Sequence, residues 1–193
     1  MYNSLSALPK SLYKIMEYLA VSPDAEDLWK MLKYNGYDAL SHKNLSFKEK
    51  MKLVWAPKTH TPQDGYSVFF TNLIEDAVCE SKCVLKLYDY MVQPTELYKS
   101  VVVYAFDFLY GGQMSLVEFE GVPVNRGDLF LNIILSVLNG ANIGGVGNLS
   151  FSDDLSRYCG GKAVIGNSKT FTGVCVYLAS QMGDTGKETL CGR

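Results

Sequence analysis

The chain has 193 residues, 48% of them apolar and 20% charged, which is enough for one domain with a real core and unlike a disordered segment. A net charge of −2 disfavours a general nucleic-acid-binding surface, leaving room only for a local basic patch at Lys48, Lys50 and Lys52. Five cysteines, odd in number and irregular in spacing, fit a reducing compartment better than a secreted disulfide framework.

The first quarter, 1–56, reads as helices. Pro9 suits a first helical turn, and Leu12, Ile15, Met16 and Leu19 then fall on one stripe. Ser22-Pro23-Asp24 is a second start signal, with Ser22 as the expected hydroxyl cap. That helix carries Leu28, Met31 and Leu32, and Asn35-Gly36 can stop it. A third helix starts at Ser46, which has capping-box spacing to Glu49, and ends before Pro57. The polar stretch from Pro57 to Gly65 is a loop, and Ser67 to Val78 is ambiguous between helix and extended chain.

The middle turns to β structure. Cys83 to Tyr90 reads as a strand closed by Gln93-Pro94. Ser100 to Tyr110 is β-branched or aromatic on both alternating faces, as in a central strand covered on both sides. Gly111-Gly112 is a hairpin signal, with Met114 to Phe119 as the return strand. Asn125 caps a helix whose wide apolar face is Leu129, Phe130, Ile133, Ile134, Val137 and Leu138, with Gly140 ending it. A glycine-rich loop, Gly140 to Gly147, precedes a short strand near Leu149-Ser150-Phe151, and Thr170 to Leu178 is the last strong strand. Residues 183–193 read as a flexible tail. These elements predict a single α+β domain over 1–193. Its helical part is 1–56, and its β-rich part, 80–182, is a mostly antiparallel sheet with the amphipathic helix 126–139 packed on it. The second face of the sheet then needs the N-terminal helices or a neighbour to cover it. The first residues lack a basic start followed by an unbroken apolar stretch, so no signal peptide is expected, and the most apolar helix candidate is about half the ~20 residues of a membrane span.

No side-chain pattern points to chemistry. The two histidines, His42 and His60, lie in polar, loop-like sequence with no nucleophile motif beside them. Cys79 and Cys83 are four apart, but Cys159, Cys175 and Cys191 stand alone, so buried thiols are expected rather than a zinc site. The 140–147 loop follows a helix instead of opening one, and Gly161-Lys162 is followed by Ala163, so neither forms a phosphate cradle. The loop reads instead as a mobile segment that orders against a neighbouring subunit. Arg126-Gly127-Asp128 opens a helix, where Asp128 favours the dipole, and needs no adhesion role. Asp107 is a lone carboxylate expected at a solvent face or a subunit contact, and Asp153, Asp154 and Arg157 read as a solvated turn. The expectation is a non-enzyme, with no catalytic, cofactor-binding or metal-ligating residues. One feature favours a partner: of 13 tyrosines, Tyr88, Tyr90, Tyr98, Tyr104 and Tyr110 lie in or beside strands, and tyrosine is enriched at interfaces.

The segment Asp27-Leu28-Trp29-Lys30-Met31-Leu32-Lys33-Tyr34, with Asp38-Ala39-Leu40-Ser41, Asn44-Leu45-Ser46 and Trp55, resembles the N-terminal part of tailed-bacteriophage structural proteins. The later order of a long hairpin at 100–119, a helix at 126–139, a variable loop and a closing strand at 170–180 resembles neck and tail-completion proteins, including the tail terminators. The N-terminal helical arm is longer than in the compact tail terminators. The resemblance implies a ring of identical subunits joining portal and capsid to the tail. Neighbouring portal, neck or tail proteins would be its partners, and channel DNA would pass nearby without sequence-specific contact. It further implies a place in the virion, reached from the host cytoplasm during assembly, without a membrane or cofactor. The alternative is a small non-enzymatic binding or regulatory protein acting as monomer or dimer.

Overall fold

The computed structural model describes residues 7–56, 65–74, 76–96, 99–151, 163–164 and 171–183. The fold is α+β, with N-terminal helices followed by a curled, mostly antiparallel sheet. Residues 184–193, together with His60, Tyr98, Asp153, Asp154, Arg157, Cys159, Gly161, Lys162 and Cys191, lie outside the described residues.

Three helices form the N-terminal layer. A 3-10 turn at Leu8–Lys10 holds Pro9 and leads into α1, Ser11–Val21, which buries Ile15, Met16 and Leu19. A second 3-10 turn, Pro23–Ala25, leads into α2, Glu26–Lys33. Ser22 precedes it with no side-chain cap, because the turn's backbone bond, Ala25 N–H to the Ser22 carbonyl, takes up that donor instead. α3, Phe47–Lys52, starts on the expected capping box. Glu49 N–H donates to Ser46 Oγ at 3.4 Å, and Ser46 N–H donates to the Glu49 carboxylate at 3.0 Å.

Buried polar contacts lock this layer. Trp29 Nε1 donates to the Leu19 carbonyl at 3.0 Å, tying α2 to α1. Lys50 is 5% exposed; its ammonium lies 2.6 Å from Glu26 and donates to the Ala20 carbonyl. Glu26 also accepts Leu45 N–H, so one ion pair joins three helices and the loop before α3. The expected triplet of basic residues is therefore a pair, with Lys48 and Lys52 exposed while Lys50 is consumed inside.

The ambiguous 67–78 stretch resolves into β1, Val68–Phe69, and α4, Asp76–Ser81. β2 runs Val84–Glu96 and β3 Lys99–Gly111. β2 passes through Pro94 instead of stopping there. Beyond its short parallel pairing with β1 at residues 85 and 86, β2 forms the sheet's edge among the described residues, where a missing N–H is tolerated. β3 is central, paired with β2 on one side and with β9, Phe171–Gly183, on the other.

No hairpin forms at Gly111-Gly112. The chain makes a 3-10 turn at Gly112–Met114 and leaves the main sheet; β4, Leu116–Phe119, pairs instead with β5, Val122–Asn125. The turn between them is Glu120-Gly121, with φ of 52° and 81°, so both central residues are left-handed, as a two-residue turn matched to strand twist requires. α5, Arg126–Leu138, follows at once, capped by Asn125 Oδ1, which accepts from Gly127 N–H at 2.8 Å and Asp128 N–H at 3.3 Å. The glycine segment is also more ordered than expected: it is a β-hairpin of β6, Asn142–Ile143, and β7, Gly147–Ser150, with Ile143 and Val146 in the core. Gly147 has φ of 96°, and its α-carbon faces the Gln181 carbonyl so closely that a side chain has no room. β8, Ala163–Val164, pairs with β9 beside β7, and the main sheet runs β1-β2-β3-β9-β7-β6.

α1, α2 and α5 all pack on one face of the sheet, forming one core with Leu85, Leu87, Phe106, Phe108, Val176 and Leu178. Phe108 and Phe130 stack at 4.8 Å between β3 and α5. The N-terminal helices thus do not cover the second face. α4, with Phe69 and Cys79, covers one end of it over Val84 and Leu109. The rest of that outer face is a separate small cluster, Val101, Val103 and Ala179 with Met91 and Tyr177 against them.

Candidate interaction surface

Strand alternation decides which side chains meet on the outer face. One cross-strand row there is Lys86, Asp107 and Cys175; the next is Tyr88, Ala105 and Tyr177. A register shift in β2 between Asp89 and Met91 leaves Tyr90 without a partner on β3, and its ring turns onto Tyr177 at 4.8 Å between centroids. Tyr90 is 59% exposed.

Asp107, in the middle of this face, is 5% exposed, so the solvent-face expectation fails. Tyr88 OH donates to Asp107 Oδ2 at 3.1 Å, and the Cys175 thiol hydrogen-bonds the same carboxylate. Lys86 stands directly opposite, yet its ammonium donates to the Asn72 carbonyl at 3.2 Å, and Asp107 has no ion pair among the described residues. Burial, helped by the carboxylate, keeps its neighbours protonated. Burial, then the Asp107 charge, raise Tyr88; burial, then the hydrogen bond to Asp107, raise Cys175. Tyr177 is raised first by its hydrogen bond to Cys175 and then by burial. Three hydroxyl or thiol groups held in their neutral forms beside Asp107 make a poor nucleophile site at neutral pH, and a coherent polar patch in an aromatic surface.

Of the tyrosines singled out in the sequence, the structure brings Tyr88 and Tyr90 together and adds Tyr177, which the sequence reading passed over. Tyr104 and Tyr110 face inward and are buried. The signal was available as a two-residue alternation shared by Tyr88 and Tyr177, but it needed the β3–β9 register to be seen.

The other candidates are structural. Arg126 is fully buried, which removes the Arg-Gly-Asp tripeptide from any partner's reach. Its guanidinium donates to the carbonyls of Tyr34 at 3.2 Å, Asn35 at 3.0 Å and Gly36 at 2.5 Å, and to Cys83 Sγ at 3.6 Å. It thereby clamps the chain leaving α2 onto the start of α5, and its positive charge suits the C-terminal end of that helix. Cys83 is a buried thiol pushed up to about 11 by burial, with Arg126 pulling the other way. Cys79 is also buried, and no group of three potential metal ligands occurs among the described residues. His42 is exposed, stacked on Tyr34 at 3.9 Å and 3.8 Å from Asp38. An open cleft of about 290 Å³ lies between α2 and the β4–β5 ribbon, lined by Asp27, Asp38, Glu118 and Glu120 with Leu40 and Phe119.

The model of the family YomW matches residues 25–179, spanning α2, α3, the α5 clamp and most of the sheet. The chain belongs to the YomW family. This is a phage-derived family of Bacillus prophage type, which makes the chain phage-associated. Neither the curated proteins nor the solved structures contain a match to it. The matched span of this YomW-family chain begins within the turn before α2 and ends in β9. It thus contains Glu26, Lys50, Arg126 and the whole Asp107 row. No described helix is long and apolar enough to cross a membrane.

Proposed function

We propose that the chain is a structural component of a tailed-phage particle, a neck or tail-completion protein that forms a ring of identical subunits between the portal-capsid and the tail. The observation that carries this reading is the outer face of the sheet: Tyr88, Tyr90, Met91 and Tyr177 in a phage-associated chain, with Tyr90 more than half exposed. The buried polar groups favour a building block over an enzyme. Arg126, Glu26, Lys50 and Trp29 hold helices and carbonyls, and the titrating groups around Asp107 are held in their neutral forms. In this reading the subunit contacts itself and adjoining portal, neck or tail proteins, channel DNA passes without being read, and the protein moves from host cytoplasm into the virion.

The experiment is deletion of the gene in the phage followed by electron microscopy of the lysate. The expected products are packaged heads without attached tails, or abortive tails. Normal, infectious virions would refute the role and favour a small binding or regulatory protein.

A further inference from the structure

Asn35-Gly36 follows α2, and both residues are exposed. Asparagine before glycine is the pair in which a backbone N–H most readily attacks the side-chain amide, because glycine has no side chain to block the approach. The sequence contains a second such pair, Asn139-Gly140, and the fold treats the two differently. Gly140 N–H donates to the Leu149 carbonyl at 2.7 Å and Asn139 Oδ1 accepts Phe151 N–H at 2.9 Å, so nucleophile and target are both held. Gly36 N–H takes no hydrogen bond among the described residues. The Asn35 side chain makes only an exposed bond, from Nδ2 to the Ser81 carbonyl at 3.2 Å. The carbonyl of the Asn35-Gly36 peptide, by contrast, accepts from the Arg126 guanidinium at 3.0 Å. That guanidinium is buried and has no ion pair among the described residues. A cation on this carbonyl favours the anion formed when Gly36 loses its N–H proton.

We infer that Asn35-Gly36 is a self-modification site, at which Arg126 directs the conversion of Asn35 to isoaspartate and gains the carboxylate it lacks. Gly36 N attacks Asn35 Cγ, its proton passes through water to the departing amide nitrogen, and the Cγ–Nδ2 bond breaks. Ammonia leaves and a succinimide ring closes. Water then adds to one of the two ring carbonyls. Arg126 polarises the one that was the Asn35 backbone carbonyl, so water adds there, the bond from that carbon to Gly36 N breaks, and a water proton returns to the nitrogen. The chain now runs through the former side chain, and the former backbone carbonyl is a free carboxylate at the guanidinium. One water is consumed, one ammonia is released, and no other reactant is needed. The neutral hydrogen-bond acceptor becomes a charged one, which relieves a buried cation without a counter-ion. The inference does not depend on the proposed role in the particle.

The test incubates the purified full-length chain at neutral pH, folded and in guanidinium chloride, and follows both sites by tryptic peptide mapping with fragmentation that separates isoaspartate from aspartate. In the folded chain Asn35 should convert about tenfold or more faster than Asn139, the worth in rate of one hydrogen bond from a charged donor. Isoaspartate should form a larger share of the product at position 35 than in the denatured chain, and the converted form should melt no lower than the unconverted one. Arg126→Lys and Arg126→Met should each slow Asn35 and return the isoaspartate share to the denatured value. Leu178→Ala, a fully buried core truncation that also lowers stability but leaves Arg126 in place, should keep the preference for Asn35 and the high share. The inference is overturned by equal rates at the two sites or by an Asn35 that stays intact in the folded chain while the denatured chain converts. It is equally overturned by an isoaspartate share no higher than in the denatured chain, by a converted form that melts lower, or by Arg126 variants that behave like Leu178→Ala.

Discussion

Replacing Arg126 by methionine separates a structural clamp from a buried charge that merely happens to be there. Methionine fills much of the aliphatic volume but removes the fork. The Gly36 carbonyl keeps a second donor, Ala39 N–H at 3.1 Å, so the change bears mainly on Tyr34 and Asn35. Two hydrogen bonds from a charged donor, at about 1.5–3 kcal/mol each, give a loss of roughly 3–6 kcal/mol. Part of this is offset, because the wild-type guanidinium is desolvated with no ion pair and no acceptor for its Nε among the described residues. The expected net loss is about 3 kcal/mol. At about 2–4 °C per kcal/mol for a chain of this size, the melting temperature falls by roughly 6–12 °C. Urea unfolding followed by tryptophan fluorescence reads it well, since Trp29 is fully buried in the same layer. Arg126→Lys keeps the charge without the fork and should also lose stability. A methionine variant within about 1 kcal/mol of wild type would refute the clamp.

Three further outcomes follow from the geometry. Hydrogen bonds from the Ser46 backbone, then its side chain, then Lys33 lower Glu49 from 4.5 to about 2, so its capping-box contribution is in place above pH 4.5 and is lost as pH falls toward 2. Melting curves across that window should show wild type losing its advantage over Glu49→Gln as pH drops, and an unchanged difference would contradict the box. Gly147→Ala forces a side chain at φ of 96° against the Gln181 carbonyl and should cost about 2–4 kcal/mol in denaturant unfolding; a neutral result would mean that the β7–β9 approach is looser than described. Cys83 and Cys175 are buried and held protonated, so peptide mapping after brief native alkylation at pH 8 should find both unmodified, and rapid labelling of either would show its surroundings to be open.

Much of the fold was legible because local chemistry and global packing agree in it. The Ser46–Glu49 box and the Asn125 cap each fixed a helix start to the residue, and the apolar face of α5 read from the sequence is buried throughout. β3 was recognisable as central from its two apolar faces. Failures arose where tertiary context overrode a local rule. Pro94 ends a central strand but not an edge, and nothing local told the two apart. Gly111-Gly112 carries the stronger turn signal, while the actual two-residue turn uses Glu120, a residue type seldom found left-handed. A two-residue strand such as β1 has no periodicity to detect.

The candidate surface was half legible. Tyrosine content pointed to an interface, but burial of Tyr104 and Tyr110 against exposure of Tyr90 depends on register and on a bulge, neither of which leaves a mark in composition. Arg126 looked like the first letter of a recognition motif and is a buried strut, because its partners are backbone carbonyls some ninety residues earlier in the chain. Lys50 looked like one of three exposed cations for the same reason: Glu26, which neutralises it, lies on another helix.

Quantitative mass spectrometry of purified virions tests the central claim most directly. The chain should be a stoichiometric component, present at a small fixed number of copies per particle matching a single ring. Its absence from particles that are otherwise complete and infectious would contradict a place in the virion.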